Sequence, residues 1–185
     1  MSPTIDRPAA IRRALRDLVA ERGLHGASMG AVAKEAGVAA GTAYVHYESK
    51  DELVYATYLE VKAELGEAVL AALDPSLGIE EQLVVIFSAI YRHLEEEPER
   101  ALFLNQLEVS PYYPIAKERL AEQGDPLSEQ GAAAMAAGHF VDLPPEVIYA
   151  FTFGIAVRLA ATGVELDDEA LEAVARASLR AVWAG

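Results

Sequence analysis

The sequence predicts an all-α protein, in which a small three-helix head precedes a helical bundle, with about nine helices in all. Three observations carry that expectation. Apolar residues recur at helical spacing through nearly the whole chain, and the alternating pattern of a half-buried strand is absent. Glycine and proline fall between the periodic blocks rather than inside them. Apolar residues make up 52% of the 185 and charged residues 24%, enough to bury a substantial core.

The elements follow in order. Asp6 is placed to cap a first helix that tolerates Pro8 in its first turn. Ile11, Ala14, Leu15, Leu18 and Val19 then form one apolar stripe, which leaves Arg12, Arg13 and Arg16 on the solvated side, and Gly23 ends the helix. Ser28 caps a short helix that Gly37 stops, and a second short helix covers 39–47. Ser49 and Glu52 read as a capping box, the serine at the cap and the glutamate reaching back, at the start of a long helix to about Leu73. Beyond the break at 74–78, helices are expected over 79–97, from Pro98 to about Val109, over 115–123, over 126–140 and from Pro144 through Ala161. A last helix, capped by Asp167 or Asp168, ends near Trp183.

Charge divides the chain into two parts. The net charge is −14, yet residues 1–50 hold seven Lys/Arg against five Asp/Glu, while the remaining 135 hold eight against 24. A mildly basic head on a strongly acidic body can approach phosphates with one end only. Cysteine is absent, which excludes disulfides, thiolate metal sites and cysteine nucleophiles. The N-terminal residues lack the apolar core of a signal peptide, and no apolar run reaches membrane-spanning length. A soluble, cytoplasmic protein with no membrane partner is the expectation.

The most informative segment runs from Ser28 to Lys50. Two short helices meeting across Gly37 have the layout of a helix-turn-helix (28–47), with small Ala33 permitting close crossing and Val38 plugging the angle. The second helix offers Ala39, Ala40, Gly41, Thr42, Tyr44, Val45 and His46 on its front and outer face, a face that can enter a major groove.

The stretch AVAKEAGVAAGTAYVHYESKDELVYA resembles the signature of the tetracycline-repressor (TetR) family over about 50 residues. That resemblance implies a helix-turn-helix DNA-binding domain over 5–65 and a ligand-binding and dimerisation domain over 66–185. It also implies that Ser28, Thr42, Tyr44, His46 and Lys50 hold the DNA backbone, while Ala39, Ala40 and Gly41 meet base edges. The two alanines carry no hydrogen-bonding group, so direct readout falls to Thr42, Val45 or thymine-methyl contacts, with DNA shape contributing.

In the body, Phe87, Tyr91, Phe103 and Tyr113, with Gln106 and Arg158 as polar groups, are the residues expected to line a small-molecule site. His93, Asn105 and His139 are further polar candidates, and most of the body's aromatics belong to the core. Small and apolar residues on the last two helices point to a dimer surface: Ala150, Gly154, Val157, Ala161, Leu171, Val174 and Leu179. A two-fold dimer presents two reading helices about 34–36 Å apart to a palindromic operator on double-stranded DNA. No GxSxG, P-loop or HExxH motif and no metal-spaced histidine pair occurs, so neither catalysis nor a cofactor or metal is expected. The competing readings, a helical dimer that binds small molecules or an enzyme with no DNA role, leave the Gly41-Thr42 to Lys50 block unexplained.

Overall fold

The computed structural model describes residues 6–184. Eleven helices occur among them: α1 (Arg7–Gly26), α2 (Met29–Glu35), α3 (Ala40–His46), α4 (Lys50–Ala72), α5 (Ile79–Glu96), α6 (Pro98–Glu108), α7 (Tyr113–Gln123), α8 (Pro126–Ala136), α9 (Pro145–Phe151), α10 (Phe153–Ala161) and α11 (Asp168–Arg180). The only pairing outside helices among the described residues is an isolated antiparallel bridge, Phe140 with Trp183. No described helix is long and apolar enough to cross a membrane.

Local chemistry explains most of the boundaries. The side chains of Asp6, Ser28 and Asp167 accept the N–H groups of Ala9, Ala31 and Ala170, orphan donors of a first helical turn. Several boundaries differ from the sequence expectation, beginning with α1, which is expected to end at Gly23 but runs on to Gly26 with Gly23 itself non-helical. The apolar helix beginning at Pro145 breaks at Thr152 (φ −116°, ψ −104°), whose hydroxyl donates back to the Ile148 carbonyl at 2.7 Å, giving α9 and α10. Helix α8 stops at Ala136, and α11 at Arg180. The residues beyond each pair with one another instead: Val141 N–H donates to Val182 and Ala184 N–H to His139.

The chain packs as two compact units. The first takes the chain up to Val61 together with Leu102–Glu122, and the second takes Lys62–Ala101 and everything from Gln123 onward. The sequence division at 65/66 had assigned 102–122 to the body. In the first unit α1, α2 and α3 pack on one another and on the start of α4. Ile11, Leu15, Val32, Ala43, Leu53 and Val54 lie fully buried there, in one core with Phe103 and Leu107 of α6 and Ala116 of α7. Burial of such side chains supplies about 1.5–3 kcal/mol each. In the second unit α5 packs against α10 and α11, with Phe87, Tyr91 and Leu94 turned inward and without solvent contact. Surface ion pairs join the elements of this unit, Arg92 to Asp168 and Arg176 to Glu81, both at 2.8 Å.

Candidate nucleic-acid interface

The turn between α2 and α3 is built on Gly37, whose φ of +67° suits a residue without Cβ. The chain closes around it: Val38 N–H donates to the Ala33 carbonyl at 2.9 Å. Ala33 and Ala43 are 1% and 0% exposed where the two helices belong to one core, so a larger side chain at either would force them apart. Helix α3 buries only Ala43. Ala39, Ala40, Gly41 and His46 are exposed, Thr42 is half-buried, Tyr44 is 53% exposed and Val45 82%. A seven-residue helix that shows nearly all its side chains to solvent is held by its neighbours and carries a free outer face. Ser28 is exposed as well; its oxygen caps α2 and its hydroxyl proton remains free to reach an acceptor.

Behind that face lies a charge network that corrects the sequence reading of α1. Only Arg13 of the three arginines is fully solvated. Arg12 and Arg16 both pair with Glu60 of α4, at 2.6 and 2.8 Å, and Arg16 is 6% exposed. Glu60 lies 44 or more residues away along the chain, so helical periodicity of α1 could not reveal it. Arg12 also donates to the Tyr47 hydroxyl at 2.6 Å, and that hydroxyl donates to the Pro8 carbonyl. Burial opposes the Arg12 charge, but hydrogen bonds to Glu60 and Tyr47 outweigh it and hold the guanidinium pKa above the ordinary arginine range. Tyr47 is thereby core with its polar end satisfied, at the point where α3 runs into α4.

The start of α4 differs from a complete capping box. Ser49 accepts the Glu52 N–H at 3.1 Å, but the Glu52 carboxylate turns to Arg119 of α7 in a bidentate pair with both bonds at 2.7 Å. The Arg119 guanidinium also lies 4.3 Å from the Tyr55 ring centroid, so it reads as a clamp of α7 on α4. Hydrogen bonding to Arg119 lowers the Glu52 pKa against a small opposing burial effect. Lys50 gives one ammonium proton to the Leu24 carbonyl at the end of α1, and two remain for an outside acceptor. Burial lowers the Lys50 pKa and neighbouring Asp51 partly offsets this.

A domain model described as "Bacterial regulatory proteins, tetR family" matches residues 11–57, the segment just described. An HTH-type transcriptional regulator of Haemophilus influenzae is 30% identical over 170 residues, covering 89% of each chain. The chain belongs to the TetR family. It is therefore a DNA-binding transcriptional regulator and not an enzyme. The HTH-type transcriptional regulator UidR of Escherichia coli K12 is 27% identical over 179 residues, 95% of this chain and 90% of that one. A crystal structure of a TetR-family transcriptional regulator from H. influenzae superimposes with a TM-score of 0.78 at 27% identity, covering 99% of this chain and all of the other.

The six residues expected to line a small-molecule site are divided between the two compact units. Phe103, Gln106 and Tyr113 fall in the first compact unit, and Phe87, Tyr91 and Arg158 in the second. Phe87, Tyr91 and Phe103 are 0% exposed. The Tyr91 hydroxyl lies within hydrogen-bond distance of Glu95 and the Val164 carbonyl and accepts the Leu166 N–H, so it ties α5 to the loop before α11. Gln106 bonds backbone at the end of α1, and Arg158 is exposed.

An open groove of about 630 Å³ runs along α4, α5 and α11 in the second unit. Ala68, Val84, Val85, Ala89 and Leu171 make its apolar lining, and the ion-paired Arg92 and Arg176 stand among its walls. His93 also lines it, with a buried Nε2 that has no hydrogen-bond partner. Burial, reinforced by the charge of Arg100, lowers the His93 pKa, while Glu64, Glu96 and Glu97 act in the opposite sense.

A depressed histidine pKa has a stability consequence. The folded state disfavours a proton that the unfolded chain accepts near the ordinary histidine value of 6.5, so this contribution is complete above that pH. It is lost as pH falls through the lower folded value. His93→Gln is therefore expected to shrink the drop in Tm between pH 7.5 and pH 5.5. An equal drop in both proteins shows that other groups set the acid lability.

On the proposed dimer face, Val157, Leu171 and Leu179 are 5%, 2% and 2% exposed, already buried within the single chain. Ala150, Gly154, Ala161 and Val174 keep accessible surface. Phe151, beside Ala150, is 49% exposed, and Leu143 is 44% exposed. Among the described residues, no group of three or more His, Asp or Glu side chains could hold a metal ion.

Proposed function

We propose that the protein is a homodimeric repressor that binds a palindromic operator through α3 and is released from it by a small, mainly apolar effector. The observation that carries this reading is the outer face of the helix-turn-helix. Thr42, Tyr44, Val45 and His46 are presented by a helix anchored on Ala43 alone, and Ser28 and Lys50 flank it with donors still free. Thr42, Val45, Ala39, Ala40 and Gly41 face bases in this reading, and Ser28, Tyr44, His46 and Lys50 face phosphates. Two copies meet through the accessible apolar surface of α9, α10 and α11, centred on Phe151, Ala150 and Val174. A regulator of this kind works where the bacterial chromosome lies, in the cytoplasm.

The effector occupies the groove of the second unit, which offers an apolar lining with Ser88 and the ion-paired Arg92 and Arg176 among its polar walls. It acts by binding one arrangement of the dimer better than another, and can shift DNA affinity by no more than that difference. The test is a compound screen by thermal shift, followed by titration of each hit into the protein–DNA complex. A hit that dissociates the complex, and whose affinity falls in the presence of DNA by the same factor, supports the mechanism. Hits that stabilise the protein and leave DNA affinity unchanged refute release by effector.

A further inference from the structure

The connection between α1 and α2 carries an arrangement that the family signature does not contain. Gly23 leaves helical geometry (φ 74°, ψ 167°) inside α1, so the hydrogen-bond ladder is interrupted just before Leu24. The backbone groups on either side of this break are taken by side chains from two other helices. Gln106 of α6 accepts the Leu24 N–H at 3.1 Å through Oε1 and donates through Nε2 to the Val19 carbonyl at 3.0 Å. Lys50 of α4 donates to the Leu24 carbonyl. All of these residues lie in the first compact unit.

The chemistry of this bridge is directional. Leu24 presents a donor and Val19 an acceptor, and a glutamine amide satisfies both in one orientation only. A carboxylate can serve the first but not the second, and an apolar side chain neither. Space is equally constrained: a Cβ on Gly23 would stand 3.3 Å from Gln106 Oε1. The same helix drives Phe103 and Leu107, both 0% exposed, into the core formed by α1, α2 and α4. Gln106 is thus held in place by its own helix while it holds the chain leaving α1. Four residues after Leu24, that chain becomes Ser28, the cap of α2.

We infer that Gln106 is a positioning residue for DNA binding: its amide fixes the path from α1 into the helix-turn-helix, and so the placement of Ser28 and Lys50 beside α3. The inference rests on the DNA-binding face proposed above. An open cleft of about 250 Å³ between residues 22–25 and 106–111 borders the bridge, so water can replace the glutamine there once the bridge opens.

The test uses the full-length chain as wild type, Gln106→Glu and Gln106→Leu. Three quantities are measured: Tm, hydrogen exchange of the Leu24 amide, and affinity for a duplex selected by the wild-type protein from random DNA. Gln106→Leu is expected to speed Leu24 exchange at least tenfold and to weaken binding to the selected duplex at least tenfold. Binding to unselected DNA should weaken as well, because Ser28 and Lys50 face phosphates in this reading. Gln106→Glu keeps the Leu24 bond and should fall between the two. Should Gln106→Leu fail to fold, Gln106→Glu alone decides, through an affinity loss at near wild-type Leu24 exchange. Faster exchange with unchanged affinity makes Gln106 merely structural and overturns the inference, as does unchanged exchange in Gln106→Leu. If the wild-type chain itself selects no duplex, the DNA reading fails, and Leu24 exchange alone decides whether Gln106 fixes the connection.

Discussion

Glu60→Ala is expected to destabilise the protein by about 3 kcal/mol, the lower end of the cost of removing one partner from a buried ion pair. The reason is that one carboxylate serves two guanidinium groups. Arg12 and Arg16 reach it at 2.6 and 2.8 Å, and their side chains retain only 20% and 7% of their accessible surface. Without Glu60 both positive charges face each other in a partly dry space, with Tyr47 as the remaining partner of Arg12. Glu60→Gln, which keeps a hydrogen-bond acceptor but no charge, should cost less. Urea melts of the three proteins decide the matter. A loss below about 0.5 kcal/mol would place the network among exposed ion pairs of little weight. Because the network joins α1, the end of α3 and α4, DNA affinity should fall with stability in this series.

The opposite pattern is expected for Tyr44→Ala combined with His46→Ala. Both side chains stand in solvent on α3 and neither hydrogen-bonds another described residue through its side chain, so the stability change should stay within about 0.5 kcal/mol. In the proposed reading each gives one hydrogen bond to the DNA backbone. At about 1–1.5 kcal/mol per bond, the double variant should bind a selected operator roughly 30- to 150-fold more weakly. Lys50→Ala makes a useful contrast. In the proposed reading it removes a phosphate partner, which should make the salt dependence shallower by about one unit of slope, and it also frees the Leu24 carbonyl, so stability should fall too. Fluorescence anisotropy against salt, with melts of each variant, separates the cases. A double variant that folds normally and binds as wild type would remove Tyr44 and His46 from the interface.

These expectations show which parts of the molecule were legible in the amino-acid sequence. Features written over a few consecutive residues were readable: the caps at Asp6, Ser28 and Asp167, the Gly37 turn, and the Gly41-Thr42 to Lys50 block. Their physics is local, with a side-chain oxygen meeting an N–H three residues on. The break at Thr152 was not readable, because threonine is common inside helices and the apolar pattern continues across it. Nor were the long-range bonds. Glu60 is one of 29 acidic residues, and nothing in α1 selects it. Gln106 meets backbone rather than a complementary side chain, at a separation of 82 and 87 residues. An aromatic or polar residue on a helical stripe looks the same whether it lines a cavity or fills a core. Phe87, Tyr91 and Phe103, expected to face a ligand, are 0% exposed, and none of them lines the groove along α4, α5 and α11. Apolar character likewise does not tell a residue buried inside one chain from one left exposed, as Phe151 is.

The most direct measurement is selection from a random duplex library by the purified full-length protein, with affinities of the enriched sequences read at 50 and 200 mM salt. The account predicts one enriched motif with two-fold symmetry and half-sites about one helical turn apart, bound at least about a thousandfold more tightly than random DNA. It also predicts steep weakening at the higher salt. Enrichment of no motif, or of an asymmetric one bound by a single chain, would contradict a dimeric operator-reading regulator.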